Sequence, residues 1–341
     1  MSMTKASASS LDEKQGLEFT LAMFPGQGSQ YVGMGQEILA QFPALKVVFE
    51  EVEDATSVSI RKLCLQGPEE QLNLTEFTQP CILAVSVAMW RCLVQESPVN
   101  PDYYAGHSLG EYSALVAAGK LSLSRAAYLV HQRGRAMQQA VPVGIGAMAA
   151  VLMVPEERLR ILCQEAVTEA PKVGLGDTGR SRDQAAVLEI VNFNAPTQLV
   201  VAGHRKAVEI LLEKVSAHKG KAVLLPVSAP FHSSLMRPAR DVMEDLLKSS
   251  EFHSNGNRIF SNTTAKSVAE YRWEILADQI HSPVLWYQTL NQALTQGCSS
   301  FLEVGPGKVL TGLAKRQIPK DAWLQNCDNI RDLIGLLQKR S

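Results

Sequence analysis

An α/β fold built on a mainly parallel sheet is predicted by three features of the 341-residue sequence. Short apolar runs alternate with helix-spaced stretches over most of the chain, the pattern left by crossover connections between parallel strands. A Gly-x-Ser-x-Gly run, Gly106-His107-Ser108-Leu109-Gly110, stands between an apolar run (103–106) and a helix-like run (111–118), which is the setting of the nucleophile elbow and predicts an α/β-hydrolase-like main domain. From about Pro142 the order changes to strand, helix, strand, strand, helix, strand, that of an inserted ferredoxin-like α+β subdomain. The boundaries expected from these shifts are a disordered tail over 1–17, the first part of the main domain over 18–140, the small subdomain over 141–226, and the rest of the main domain over 227–341.

Composition narrows the function classes. A charged fraction of 20% and a hydrophobic fraction of 46% are those of an ordinary enzyme-sized globular protein. The formal net charge of -1 supplies no field for nucleic acid or a membrane surface. The six cysteines are scattered, with no Cys-x-x-Cys pair and no histidine at metal spacing, so neither a zinc site nor a disulfide framework is expected. A reducing cytoplasm fits. The first residues, MSMTKASASSLDEKQG, are polar and lack the apolar centre of a signal peptide, and the apolar run 81–90 is too short to cross a bilayer and closes with Arg91.

Along the chain, 19–24 (FTLAMF) is the first predicted strand and stops at Pro25-Gly26-Gln27-Gly28-Ser29-Gln30, a tight loop expected at the same sheet edge as Ser108. Its Gly-x-Gly is not a dinucleotide fingerprint, because Tyr31 occupies the third glycine position. Gly305-Pro306-Gly307-Lys308 fails the same test at Leu310, and Leu302 and Val309 exclude a phosphate loop. Residues 36–54 and 79–95 have helical spacing, the second apolar enough for a core helix under the sheet. Gly119 ends the elbow helix, and Ser122 or Ser124 caps a further helix running through Met137. On that helix Arg133 shares the apolar row of Leu129 and Met137, whereas Arg135 shares the solvated row of His131 and Gln139. The small subdomain is read as strands 146–154, 187–192, 198–202 and 222–227 with helices 156–169 and 204–218, and Asn194-Ala195-Pro196-Thr197 as its central turn. Residues 168–184 read as an exposed charged loop, and strands 258–261 and 300–304 complete the main sheet.

A serine hydroxyl is a poor nucleophile without a base in hydrogen-bond reach, and histidine suits the task because it titrates near neutrality. Of the seven histidines, His131, His218 and His253 read as solvated, His204 belongs to the small subdomain, and His281 follows a helix. His107 is expected to point away from Ser108 across the turn, as a packing or hydrogen-bonding residue. His232 alone ends an apolar strand of the main domain, in the loop Pro230-Phe231-His232, and is either the base or a buried structural histidine. Arg133 on an apolar face requires an anion. Either an internal Asp or Glu supplies it, or a substrate carboxylate is gripped by both prongs of the guanidinium; spacing leaves both open.

PGQGSQ, GHSLGEYSAL, RGRAMQ, VNFN, PFHSSLM and EVGPGKVLTGL occur in this order. Through them the chain, from Phe19 to about Arg316, resembles the malonyl-CoA:acyl carrier protein transacylase family, which includes the acyltransferase domains of polyketide synthases. The resemblance implies that Ser108 carries the acyl group, that His232 activates it, and that Arg133 binds the free carboxylate of malonate. It further implies an oxyanion hole from the backbone amides of Gln27 and Leu109, a backbone carbonyl of Gln279 that orients the histidine, and Asn192 and Asn194 in the cleft lining. Phe231 resembles the malonyl-selective form of its motif, bulky enough to disfavour a 2-methyl branch. The implied reaction has two steps: malonyl-CoA acylates Ser108 with loss of CoA, then the phosphopantetheine thiol of an acyl carrier protein takes the acyl group. No cofactor beyond the CoA thioester, no metal, and no nucleic-acid or membrane partner is expected, and the protein is expected to be a monomer.

Two other readings compete. A serine esterase or thioesterase shares the elbow and oxyanion hole but passes the acyl group to water. Against it stand Arg133 and the lack of an evident triad acid outside the charged loop, where Asp177 and Asp183 lie. A non-catalytic docking module for acyl carrier proteins would lack the serine or the histidine. Lys308, Lys315 and Arg316 are candidate contacts for an acidic carrier protein, in a fatty-acid or a polyketide pathway.

Overall fold

The computed structural model describes residues 20–96, 100–171, 185–227, 229–329, 331–332 and 335. Its strands run in chain order from β1 (Thr20–Phe24) and β2 (Tyr103–Gly106) through β3 (Gly146–Leu152), β4 (Leu188–Ala195), β5 (Gln198–His204) and β6 (Lys221–Leu224) to β7 (Arg258–Phe260), β8 (Ser267–Val268), β9 (Ser300–Val304) and β10 (Trp323–Cys327). The main sheet has the order β10-β9-β1-β2-β7-β8 and is parallel except for the short edge strand β8. β1 and β9 at its centre are buried along their whole length, which explains why residues 21–24 of β1 are continuously apolar rather than alternating. Apolar clusters lie on both faces of this sheet.

The second sheet, β4-β5-β3-β6, is antiparallel throughout. Numbered within itself it reads 2-3-1-4, the ferredoxin-like arrangement expected from the order of its elements. Helices Glu156–Glu169 and Arg205–Ala217 cover one face and close a core of their own. β4 is fastened to the main domain where Val284 N donates to Val191 O (2.8 Å) and Phe193 N donates to Val284 O (2.9 Å). That junction sets the second sheet against the elbow.

Several expectations need correction. The helix read over 36–54 is broken into Gln36–Gln41, a 3-10 turn at Pro43–Leu45, and Lys46–Thr56. Pro43 has no N–H to continue the helix and drives Phe42 out of the α region, to φ -124 and ψ 73. The core helix begins earlier, at Thr75, and by length and composition could cross a membrane, but 83% of its most apolar stretch is buried inside the protein. That helix covers the face assigned to solvent on Leu123–Gln139. His131 is therefore buried and stacks on Phe77 with ring centroids 6.4 Å apart, while Arg135 stays exposed near Glu76. β8 and β10 were not anticipated. The tail over 1–17 and most of the charged loop, 172–184, lie outside the described residues.

Candidate active site

Gly106 ends β2 and Gly110 begins the elbow helix, Gly110–Ala117, because two close backbone approaches meet there. A Cβ on Gly106 would lie 1.9 Å from the backbone of Gly110, and one on Gly110 would lie 2.0 Å from the Phe24 carbonyl oxygen. Between them Ser108 sits at φ +53, a left-handed conformation that costs a non-glycine residue about 1–3 kcal/mol. Asn262, just after β7, holds the turn closed: its Nδ2 donates to Gly106 O (2.6 Å) and its Oδ1 accepts from Ser108 N (2.7 Å). Sequence reasoning missed this clamp.

Ser108 Oγ lies 2.7 Å from Nε2 of His232, and His232 Nδ1 lies 2.9 Å from the backbone carbonyl of Gln279, the last residue of helix Trp273–Gln279. Because a carbonyl only accepts, Nδ1 carries the hydrogen and Nε2 presents its lone pair to the serine hydroxyl. His232 does not end a main-domain strand as expected. β6 stops at Leu224 in the small sheet, and His232 occupies a turn at φ +62. The histidine is buried, and its pKa is pushed down to about 3, first by desolvation and then by the nearby charge of Arg133. It is neutral at physiological pH.

Arg133 is 1% exposed, and burial pulls its pKa down. Nη1 donates to Gln79 Oε1 (2.9 Å), and Nη2 donates to Gln279 Oε1 (2.8 Å) and to Ser108 Oγ (3.2 Å). The guanidinium also stands over the Tyr112 ring, 5.8 Å from its centroid. Among the described residues no carboxylate comes within ion-pair distance, and Nε is buried without a partner. Of the two anions left open by the sequence, the internal one is not in direct contact. Neutral oxygens satisfy part of the guanidinium, and the rest of its charge faces the cleft.

The cleft has a volume of about 290 Å³ and is lined by Ser108, Arg133, His232 and Phe231, by Gln27 and Leu109 from the two loops at the sheet edge, and by Asn192 and Asn194 from β4. All nine residues picked out from the sequence are thus brought together except Gln279, which stands behind His232. Among the described residues neither the Gln27 nor the Leu109 amide is paired with a protein acceptor. His107 bonds and packs as a structural side chain, but does so inside the cleft. It lines the cleft, donates from Nε2 to Asn194 Oδ1 (2.9 Å), and packs on Trp286 (5.6 Å between centroids). Of the candidate carrier-protein contacts, Arg316 donates to Gln198 Oε1 (2.7 Å), while Lys308 is 57% exposed near Asp332.

The side chain of Gln279 is a second omission. Beyond its backbone carbonyl, its Nε2 donates to Ser108 O (2.8 Å) and to Glu111 Oε2 (2.7 Å). Glu111, next to the second elbow glycine, is fully buried, and Tyr271 OH donates to its Oε1 (2.5 Å).

The sequence model of the acyl transferase domain family matches residues 22–193. The chain is 39% identical over 297 residues to the malonyl CoA-acyl carrier protein transacylase of Bacillus subtilis strain 168, covering 86% of this chain and 89% of that one. It is 40% identical to the enzyme of the same name from Escherichia coli K12, covering 86% and 91%. Among solved structures, the malonyl CoA-acyl carrier protein transacylase of Clostridium perfringens superposes with a TM-score of 0.85 at 33% identity, covering 94% of this chain and 96% of that one. A malonyl-transacylase in complex with its type II polyketide synthase acyl carrier protein superposes with a TM-score of 0.85 at 37% identity, covering 94% and 99%.

Proposed function

This chain belongs to the malonyl CoA-acyl carrier protein transacylase family, and we propose that it performs the family's reaction with Ser108 as nucleophile, His232 as base and Arg133 as the carboxylate anchor. It moves a malonyl group from malonyl-CoA to the phosphopantetheine thiol of an acyl carrier protein, for fatty-acid or polyketide synthesis. One observation carries the assignment of roles. Ser108 Oγ is hydrogen-bonded both to a neutral imidazole and to a buried guanidinium that has no contacting anion. A malonyl carboxylate seated on Arg133 brings its own thioester carbonyl to the serine.

In the first step Ser108 Oγ bonds to the thioester carbon while its proton passes to His232 Nε2. The developing oxyanion falls to the amides of Gln27 and Leu109. Collapse breaks the C–S bond, and the CoA sulfur takes the proton from His232. The second step runs the same sequence in reverse, with the carrier-protein thiol giving its proton to His232 as its sulfur attacks the ester. The Gln279 carbonyl holds the imidazole and supports the imidazolium, so no triad carboxylate is needed. Phe231, Asn192 and Asn194 line the acyl pocket, and Phe231 leaves little room for a 2-methyl branch. The scheme draws on no cofactor. A cytoplasmic location belongs to the same proposal, supported by six free, buried cysteines.

Wild-type protein given malonyl-CoA and a holo acyl carrier protein is expected to convert the carrier to its malonyl form, read by intact mass. Accumulation of free malonate with an unmodified carrier would make water the acceptor and sink the transfer reading. Because desolvation keeps His232 neutral down to about pH 3, kcat/KM for acylation is expected to show no inflection near pH 6.5, the ordinary histidine value. A stopped-flow profile from pH 7 down to 5 checks this. A fall centred near 6.5 would mean that the base titrates normally.

A further inference from the structure

The site holds one buried charge that the two-step reaction does not use. Glu111 Oε1 accepts from Tyr271 OH (2.5 Å) and from Asn262 N (3.3 Å), and Oε2 accepts from Gln279 Nε2 (2.7 Å). Oε1 of the same Gln279 accepts from Arg133 Nη2 (2.8 Å), so a single amide bridges the buried carboxylate and the buried guanidinium. The backbone of that glutamine holds His232, and its side chain holds the Ser108 carbonyl. Nucleophile, base and cation all meet a glutamine whose far side is fixed by Glu111.

We propose that Glu111 is the internal counter-anion of Arg133 and a specificity-determining positioning residue, ionised in the empty cleft at alkaline pH and there taking up a proton when a malonyl carboxylate pairs with Arg133. This rests on the malonyl reading above. In a site of low dielectric, one buried cation compensates one buried anion; a second anion leaves the pair net negative. Protonating Glu111 relieves that excess. Burial alone raises its carboxyl, to about 7 in the empty site, while Tyr271, Gln279, Asn262 and then Arg133 restrain the rise. A substrate carboxylate on Arg133 weakens the last restraint, so the carboxyl rises further. The Tyr271 hydroxyl can rotate and accept the new proton at Oε1, so the switch needs no displacement of heavy atoms.

The groups facing Glu111 are Tyr112 on its own helix, Arg133 from Leu123–Gln139, Tyr271 and Gln279 from the segment after β8, and Asn262 from the loop after β7, with His232 and His107 beyond Arg133. Below about pH 7 Glu111 already carries its proton in the empty site, and malonyl binding draws none. Above it the proton comes from water, so malonyl affinity falls by about tenfold per pH unit until the bound-state value is reached. Acetyl brings no distal carboxylate, so its affinity stays level and the preference for malonyl narrows as pH rises.

The test uses full-length Ser108→Ala, which binds thioesters without reacting. Titration calorimetry between pH 7 and 9, in two buffers of different ionisation heat, counts protons. The expected result is an uptake approaching one proton per malonyl-CoA and none with acetyl-CoA. In Ser108→Ala/Glu111→Gln that uptake disappears and malonyl affinity becomes level with pH. In Ser108→Ala/Tyr271→Phe, which keeps the carboxyl but removes a donor to it, the uptake moves to higher pH; this variant decides the matter if the glutamine variant does not fold. Uptake that persists without Glu111, or malonyl binding with no uptake in the parent, overturns the inference alone. Failure of wild-type protein to be acylated by malonyl-CoA overturns the malonyl reading with it.

Discussion

Ser108→Ala protein mixed with malonyl-CoA is expected to gain no acyl mass and to lose at least about 10⁴-fold in transfer rate. In the proposed reaction the acyl bond forms to Oγ, and no other described hydroxyl combines a left-handed turn, a neutral imidazole at 2.7 Å and a guanidinium at 3.2 Å. Removing His232 instead leaves a hydroxyl that nothing deprotonates. Residues acting as one unit are not additive, so Ser108→Ala/His232→Ala is expected to be no slower than Ser108→Ala alone. Malonyl-CoA binding should survive in the single variant, since Arg133 and the cleft walls remain. Intact mass and single-turnover kinetics read both points. A malonyl adduct of normal yield on the alanine variant would place the nucleophile elsewhere.

What the sequence made legible was whatever depends on local geometry. The elbow was readable because Gly106 and Gly110 report backbone approaches closer than a Cβ allows. Arg133 was readable because a guanidinium in the row of Leu129 and Met137 contradicts its helix face. The ferredoxin-like order was readable because each element carries its own period. The Pro43 break was available in the sequence but lost to the helical spacing on either side of it. The rest depended on encounters between distant segments. His107 turns into the cleft because β4 presents Asn194 to it, a partner 87 positions away. His131 is buried because the helix Thr75–Glu96 crosses a face that its own helix leaves free. Glu111 stands in the first turn of the elbow helix, a place where the helix dipole alone accounts for an acid. Its partners Tyr271 and Gln279 stand 160 and 168 positions away. Gln279 illustrates the limit well, since the motif resemblance pointed to its backbone carbonyl and gave no hint that its side chain joins the cation to a buried carboxylate.

Arg133→Ala is expected to reverse the acyl preference, from malonyl over acetyl to acetyl over malonyl. In the proposed complex the malonyl carboxylate leaves water for the buried guanidinium of Arg133, which replaces its lost hydration. Without the guanidinium the carboxylate stays buried and unpaired, a loss of about 2–5 kcal/mol for truncating one member of a desolvated charge pair. That lowers malonyl acylation by roughly 30- to several-thousand-fold. Acetyl has no such charge to lose, and the alanine opens room beside it. Arg133→Lys should not restore malonyl transfer, because an ammonium cannot reach Gln79, Gln279 and a substrate carboxylate together in the plane that the fork provides. The same substitution also reaches the base. Arg133 is the second cause of the depressed His232 pKa, so its loss lets the imidazole rise toward its ordinary value, though burial still holds it below. The acid limb of acetyl acylation in Arg133→Ala should accordingly sit at higher pH than in the wild type. Parallel acylation with malonyl-CoA and acetyl-CoA over pH 4 to 8 measures both effects, with an acid limb inside that window expected in the variant and not in the wild type. Retained malonyl preference would remove Arg133 from substrate recognition, and an unmoved acid limb would remove it from tuning the base.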